Sequence, residues 1–446
     1  MKMKKLFPQN HRPSTSGVPS AQDGGTYQST ALSGATSASR GAKSKGKLHI
    51  KNIVAFLLGL AILLGYARPA SAQSGVEVTN VNVEYKFGEQ VNFSARIHSP
   101  IPIQNATVTF RTADGIAQTQ PLTVNADGWA GYRYDASLNA LPPFSPIVFW
   151  FDVALADGTR FTSPNYNFRY ADNRFPWQER EEGILRVHWY DGDAAFGGTV
   201  LDTARRGLDS ARNLISMDAR GPIDIYVYAN ANDLQGALVL GGQSWVAGHA
   251  SPELGVVMIS ISPGQNQNIE LERQAPHELT HVLLYQSVGP NYNRLPVWLT
   301  EGLASLAELN PNPDMDIALA QAAQTNTLLP LADLCASFPP DTGRAFVAYA
   351  EAKSFTRFLL DNHGTTGLSA LTSAYADGLD CEQGARQALE QPLSQLEVRW
   401  RESVLGENRG GVVTTNLFPY LLVLGIILLI PAWGLLGRLR ERRQNG

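Results

Sequence analysis

Between residues 76 and about 170, apolar and polar positions alternate in short runs. Val76-Glu77-Val78, Val81-Asn82-Val83-Glu84-Tyr85, Val91 to Ile97 and Ala106 to Phe110 all follow a period of two. That is the period of a strand with one buried face. The pattern returns at Trp129 to Tyr134, Ile147 to Leu155 and Tyr166 to Tyr170. Asp114-Gly115, Asp127-Gly128 and Asp157-Gly158 punctuate it, and Asp-Gly suits tight hairpin turns. About seven short strands with no helical period predict an all-β, immunoglobulin-like sandwich over residues 73–175. No residue in it suggests chemistry, so it is expected to serve as a spacer or docking module.

From Ile184 the period changes. Val200, Ala204, Leu208, Ala211 and Ile215 recur every three or four residues and predict an amphipathic helix. Ile223 to Tyr228 and Val256 to Ile261 read as buried strands. Beyond Glu301 the pattern is helical to about residue 405, broken near Pro330, Pro339-Pro340 and Gly364. A mixed α+β domain is therefore predicted over residues 178–405, and with 446 residues the chain has length for several domains.

Two apolar stretches bear on topology. Residues 1–50 are rich in Ser, Gly, Thr, Ala and Lys and predict a disordered segment. Ile53 to Ala67 follows Lys43, Lys45, Lys47 and Lys51 and precedes Ala70-Ser71-Ala72. Residues 51–72 therefore read as a signal peptide cleaved before Gln73 or, alternatively, as an uncleaved signal anchor. Residues 417–436 carry no charge and have the length of a transmembrane helix. Arg438, Arg440, Arg442 and Arg443 follow in a basic tail over 437–446, which the positive-inside rule places in the cytoplasm. The expectation is a single-pass protein of the cell membrane, held by this helix, with its folded domains outside the cytoplasm. A net charge of -4 and a pI near 6.1 give no footprint for nucleic acid. Cys335 and Cys381 can form a disulfide or remain two buried thiols.

The candidate chemistry lies in His277-Glu278-Leu279-Thr280-His281. On a helix, His277 and His281 leave one face a turn apart, so both imidazoles can reach one cation. Glu278 sits beside them as a general base rather than a ligand. Glu301, 20 residues after His281 in Trp298-Leu299-Thr300-Glu301-Gly302-Leu303-Ala304, is the candidate third ligand from a second helix. Gly302 and Ala304 are expected to let that helix pack closely on the first. Two imidazoles, one carboxylate and an open position make a catalytic zinc site. Pro276 stands directly before His277; an interior proline costs about 3 kcal/mol. The helix is therefore expected to begin near Arg273 or to kink at Pro276.

These paired motifs resemble the gluzincin metallopeptidases, in particular the bacterial peptidase MA-like group. Tyr349 to Phe355 and Leu389 to Trp400 extend the resemblance over roughly residues 180–405. It implies Zn2+ held by His277, His281 and Glu301, Glu278 as general base, and a peptide or protein substrate. It also implies a thermolysin-like, zincin-type core with an edge strand across the cleft from the metal helix, for which Val256 to Ile261 is the candidate. Tyr349 is a candidate oxyanion donor, with packing in the helical core as the plainer reading. His249 is a candidate cleft residue, with a surface position as the plainer reading; His188 and His363 receive no role. The rival function is a catalytically inactive binding or scaffold protein. Neither the natural substrate nor the oligomeric state is legible.

Overall fold

The computed structural model describes residues 75–407, apart from 114, 116, 216–218 and 239–247, together with six positions between 419 and 427. The predicted disordered segment, the signal segment and the basic tail lie outside the described residues.

Nine strands form the N-terminal region: β1 (Glu77–Lys86), β2 (Gln90–His98), β3 (Ile103–Arg111), β4 (Ala117–Pro121), β5 (Thr123–Val124), β6 (Trp129–Asp135), β7 (Pro146–Leu155), β8 (Arg160–Thr162) and β9 (Tyr166–Arg169). They pair as one sheet in the order β1-β2-β6-β5 and a second in the order β4-β3-β7-β8, with β9 also on β7. The alternation read from sequence is the alternation of burial. Val91, Phe93, Ala95 and Ile97 of β2 and Ile147, Phe149, Phe151, Val153 and Leu155 of β7 are buried. The sheets meet through these side chains: the Phe93 ring lies 5.2 Å from both Phe110 of β3 and Phe149 of β7. The Asp-Gly turn before β6 needs glycine, because Gly128 has φ +81° and a Cβ there would lie 2.7 Å from the Ile97 carbonyl oxygen.

A further sheet follows, built from β10 (Gln178–Glu182), β11 (Leu185–Trp189), β12 (Ile223–Tyr228), β13 (Gly248–Ser251) and β14 (Val256–Ser260), in the order β10-β11-β12-β14-β13. The three inner strands are parallel, and β10 and β13 run antiparallel to their neighbours. Helices α1 (Ala194–Arg212), α2 (Ala231–Leu238), α3 (Gln267–Val288), α4 (Val297–Ala307), α5 (Asp314–Thr325), α6 (Thr342–Ala376), α7 (Cys381–Leu389) and α8 (Leu393–Ser403) complete the region.

All of β12 is buried, because each face has its own cover. Ile223, Ile225 and Val227 join the helical core, whereas Tyr226 and Tyr228 join the core of the N-terminal sheets. Phe144 stacks on Tyr226 at 3.7 Å, and Trp177 meets Tyr226 and Tyr228 edge-on at 5.2 Å. Between them Asp224 is hydrogen-bonded to Arg169 at 2.8 Å and His188 at 2.9 Å and forms an ion pair with Arg186 at 2.9 Å. Burial acts to raise the Asp224 carboxyl, but hydrogen bonds from His188 and Arg169 prevail and hold it at about 2.

Two expectations are corrected. The strand at 256–261 is not the sheet edge: β14 lies between β12 and β13 with Val256 to Ile259 buried. Among the described strands the edge on this side is β13, whose Gly-His-Ala-Ser sequence has no apolar alternation to reveal it. The fold class expected from the sequence is corrected in its last element, the transmembrane helix at 417–436, and the single-pass cell-membrane placement falls with it. Among the described residues no helix is long and apolar enough to cross a membrane. Most of 417–436 lies outside the described residues. The expectation rests on length and lack of charge alone. The longest described helix, α6, carries Arg344, Glu351, Lys353, Arg357 and Asp361 and is interrupted at Gly364.

Cys335 and Cys381 are joined in a disulfide that ties the segment before α6 to the start of α7. Its reduction is expected to lower stability by about 2–4 kcal/mol, read as a fall in Tm under reducing agent. Asp224 predicts an acid limb. Its folded pKa lies below the unfolded value, so its contribution is complete above about pH 4 and is lost as pH falls towards 2. That contribution is about 2 kcal/mol, and chemical unfolding of Asp224→Asn across this range should show it missing.

Candidate metal centre

Helix α3 turns Leu271, Ala275, Leu279, Val282 and Leu283 into the core. His277, Glu278 and His281 line a cavity of about 270 Å³ with Glu301 of α4, Tyr292 and Tyr349. Strand β13 supplies the opposite wall through Gly248, His249 and Ala250.

Sequence expectation and structure differ at the helix start. Helix α3 begins at Gln267 and runs through Pro276 to Val288. The reason is tertiary: Pro276 leaves the Glu272 carbonyl without its helical donor, and the Leu309 N–H donates to it at 2.9 Å. Gly302 also does something other than expected. A Cβ there would lie 2.6 Å from the Ala352 carbonyl oxygen and would clash with Thr356, so the small residue admits α6, not α3.

The structure brings the three predicted ligands together. The ligand atoms of His277, His281 and Glu301 all lie within 4.8 Å of one another. Glu301 Oε2 is 3.3 Å from His277 Nε2 and 3.7 Å from His281 Nε2. Each imidazole is fixed from behind: His277 Nδ1 lies 3.1 Å from Glu308 Oε1, and His281 Nδ1 lies 2.9 Å from the Tyr292 hydroxyl. Such outer partners set the ring orientation of a metal ligand. Two ring nitrogens and one carboxylate oxygen, converging with their rings held, fit a divalent transition metal.

The electrostatics follow from burial. Desolvation depresses His281 to about 4, so at neutral pH its imidazole is neutral, as a metal ligand must be. His277 moves the other way: burial opposes its charge, but hydrogen bonds to Glu301 and Glu308 raise it well above the usual histidine value. Burial also opposes ionisation of Glu301, yet electrostatic interaction with His281 and the hydrogen bond and charge of His277 hold it lowered. Glu278 is pushed up to about 7, chiefly by burial; His277 opposes the rise, while Glu301 and Glu308 add to it. A Cβ at Gly248 would lie 2.6 Å from Glu278 Oε1, so β13 passes directly against this carboxyl.

Tyr349 packs as its plainer sequence reading expects and also lines the cavity. Its ring packs edge-on against Phe338 at 4.9 Å and lies 6.4 Å from the His277 ring. Its phenol is raised by burial and by the Glu301 and Glu278 charges. His249 is an exposed residue that also lines the cavity, with its imidazole lowered by burial against the opposing charge of Glu253. His188 is engaged by Asp224 away from this cavity.

Sequence reasoning missed Glu308, Tyr292 and Gly248. Glu308 follows Glu301 by seven residues, two helical turns on the same face, and that period could have found it. Tyr292 comes from the 3-10 turn Gly289–Arg294, and no periodicity marks it.

Residues 203–406 match the family model of the Peptidase MA superfamily. The match supports a peptidase MA-type domain; it starts within α1 and contains the whole centre. The match supports a hydrolase of proteins as a broad class. The chain matches no curated protein. Among solved structures, OgpA from Akkermansia muciniphila is 19% identical over 22% of this chain and 30% of its own, with a TM-score of 0.19. A carbohydrate-binding module family 56 β-1,3-glucan binding domain is 16% identical over 21% of this chain and 99% of its own, with a TM-score of 0.16. Neither likeness carries an argument, and none of these matches supports an immunoglobulin-like kinship for the N-terminal sheets.

The peptidase MA-type domain is expected to bind one divalent cation per chain. His281→Ala and Glu301→Ala should each abolish stoichiometric binding, whereas Glu278→Gln should retain it, as measured by equilibrium dialysis with metal analysis.

Proposed function

We propose that the peptidase MA-type domain is a zinc-dependent peptidase of the gluzincin kind. The observation that carries this reading is the convergence of His277 Nε2, His281 Nε2 and a Glu301 carboxylate oxygen beside the buried carboxyl of Glu278. The donor set suits Zn2+, which when bound supplies Lewis acidity towards a peptide carbonyl and towards water.

The chain's own residues perform the rest. Glu278, close to Oε1 of which β13 passes, accepts a proton from the attacking water on its carboxylate. It then returns that proton to the leaving amine nitrogen. The Tyr349 hydroxyl and the His249 imidazole line the same cavity and are the donors available to a developing oxyanion. Strand β13 pairs on only one side among the described strands. Its free side can align an extended peptide by main-chain hydrogen bonds, placing a peptide bond against Glu278.

An inactive scaffold built on the same domain has no use for Glu278, Gly248 and the paired imidazole anchors in this arrangement. Glu278→Gln separates the two readings. It should cut hydrolysis of a peptide substrate by about 10²–10⁴-fold while zinc content stays at one per chain. Equal hydrolysis by the two proteins, both carrying zinc, would remove the catalytic claim.

A further inference from the structure

The segment that carries Glu308 is fastened to α3 by a hydrogen bond that depends on a missing one. In a helix, residue 276 would donate its N–H to the carbonyl of residue 272. Pro276 has no N–H to donate. The Glu272 carbonyl instead accepts the Leu309 N–H at 2.9 Å, and Arg273 Nε donates to the neighbouring Asn310 carbonyl at 3.3 Å. Immediately before these two ties stands Glu308, its side chain 3% exposed and one carboxylate oxygen 3.1 Å from His277 Nδ1.

Other contacts keep the proline itself in place. A Cβ at Gly207 would lie 2.8 Å from Pro276 Cγ, so α1 closes against the pyrrolidine ring. The Pro276 carbonyl accepts the Thr280 hydroxyl at 2.8 Å. Pro276 is thus held against α1, while the Glu272 carbonyl is held by the chain leaving α4.

We propose that Pro276 is a positioning residue for the metal centre: by withholding its N–H it lets the Glu272 carbonyl hold Leu309, and this seats Glu308 on His277. The inference rests on the metal-binding reading above. It explains why a residue that disfavours helix interiors stands beside the first ligand. Pro276→Ala restores an N–H aimed at the Glu272 carbonyl. That donor competes with Leu309, and Glu308 loses one of its fixed ends.

The test uses the full chain, its Pro276→Ala and Glu308→Gln variants and the double variant. Zinc Kd is measured by chelator competition, and Leu309 amide exchange is measured on metal-free protein. Pro276→Ala favours the helix and Glu308→Gln keeps side-chain shape, so both should fold. Loss of an outer partner typically weakens metal binding 10–100-fold. Pro276→Ala is therefore expected to raise the zinc Kd by about tenfold, with faster exchange at Leu309. The double variant should bind zinc no more weakly than Glu308→Gln alone, because both changes break one linkage. An unchanged Kd with Leu309 still protected in Pro276→Ala, or losses that multiply in the double variant, would overturn the proposal. Failure of the unaltered chain to bind zinc would instead sink the functional reading, and Leu309 exchange would then decide the docking claim alone.

Discussion

Three carboxyl groups and two imidazoles share one largely buried pocket, and the surrounding structure is arranged to make that tolerable. Charges removed from water are costly unless paired, and here all but Glu278 are placed to serve another. Glu301 lies between the two Nε2 atoms, Glu308 takes His277 Nδ1, and Tyr292 takes His281 Nδ1. Among the described residues Glu278 has no such partner, and burial lifts its carboxyl to about 7. The same low-dielectric setting therefore sorts the acidic groups into two kinds. Glu301 is held ionised by its imidazoles, and Glu278 is poised to gain and lose a proton near neutrality.

Holding this pocket together requires rigid surroundings on several sides. Helix α6 presses on α4 at Gly302, α1 presses on α3 at Pro276, and β13 closes over Glu278 at Gly248. In each case the absence of a Cβ permits the approach. The sheet behind β13 is in turn covered on both faces, by the helices on one side and by the N-terminal strands on the other. The Asp224 cluster and the Phe144–Tyr226 stack make the N-terminal region a support for the sheet that bears the cleft edge. A module expected to act as a spacer or docking unit is packed against the site-bearing region.

What was legible in the sequence was what short-range periodicity encodes. The alternation of Val91 to Ile97 and of Ile147 to Leu155 dictates which side chains face inward, since a strand turns successive residues to opposite faces. The i,i+4 spacing of His277 and His281 dictates that they share a helical face, and their residue types limit the chemistry to metal or proton transfer. Hydropathy was a weaker guide. It marked 417–436 by length and lack of charge, but a span is a property of a continuous, self-paired helix and not of composition alone.

Other features were decided only when distant parts of the chain met. That β13 rather than β14 forms the sheet edge depends on strand order, which no local pattern carries. Tyr292 and Glu308 became ring anchors because a 3-10 turn and the exit from α4 fold back onto α3. The helix passes through Pro276 because Leu309, 33 positions later, supplies a donor to Glu272. Sequence by itself determined the identity and facing of the ligand-bearing residues, because helix and strand periods act over a few residues. Tertiary structure decided their partners, protonation and enclosure, because hydrogen bonds and burial depend on which remote segments are brought within a few ångströms.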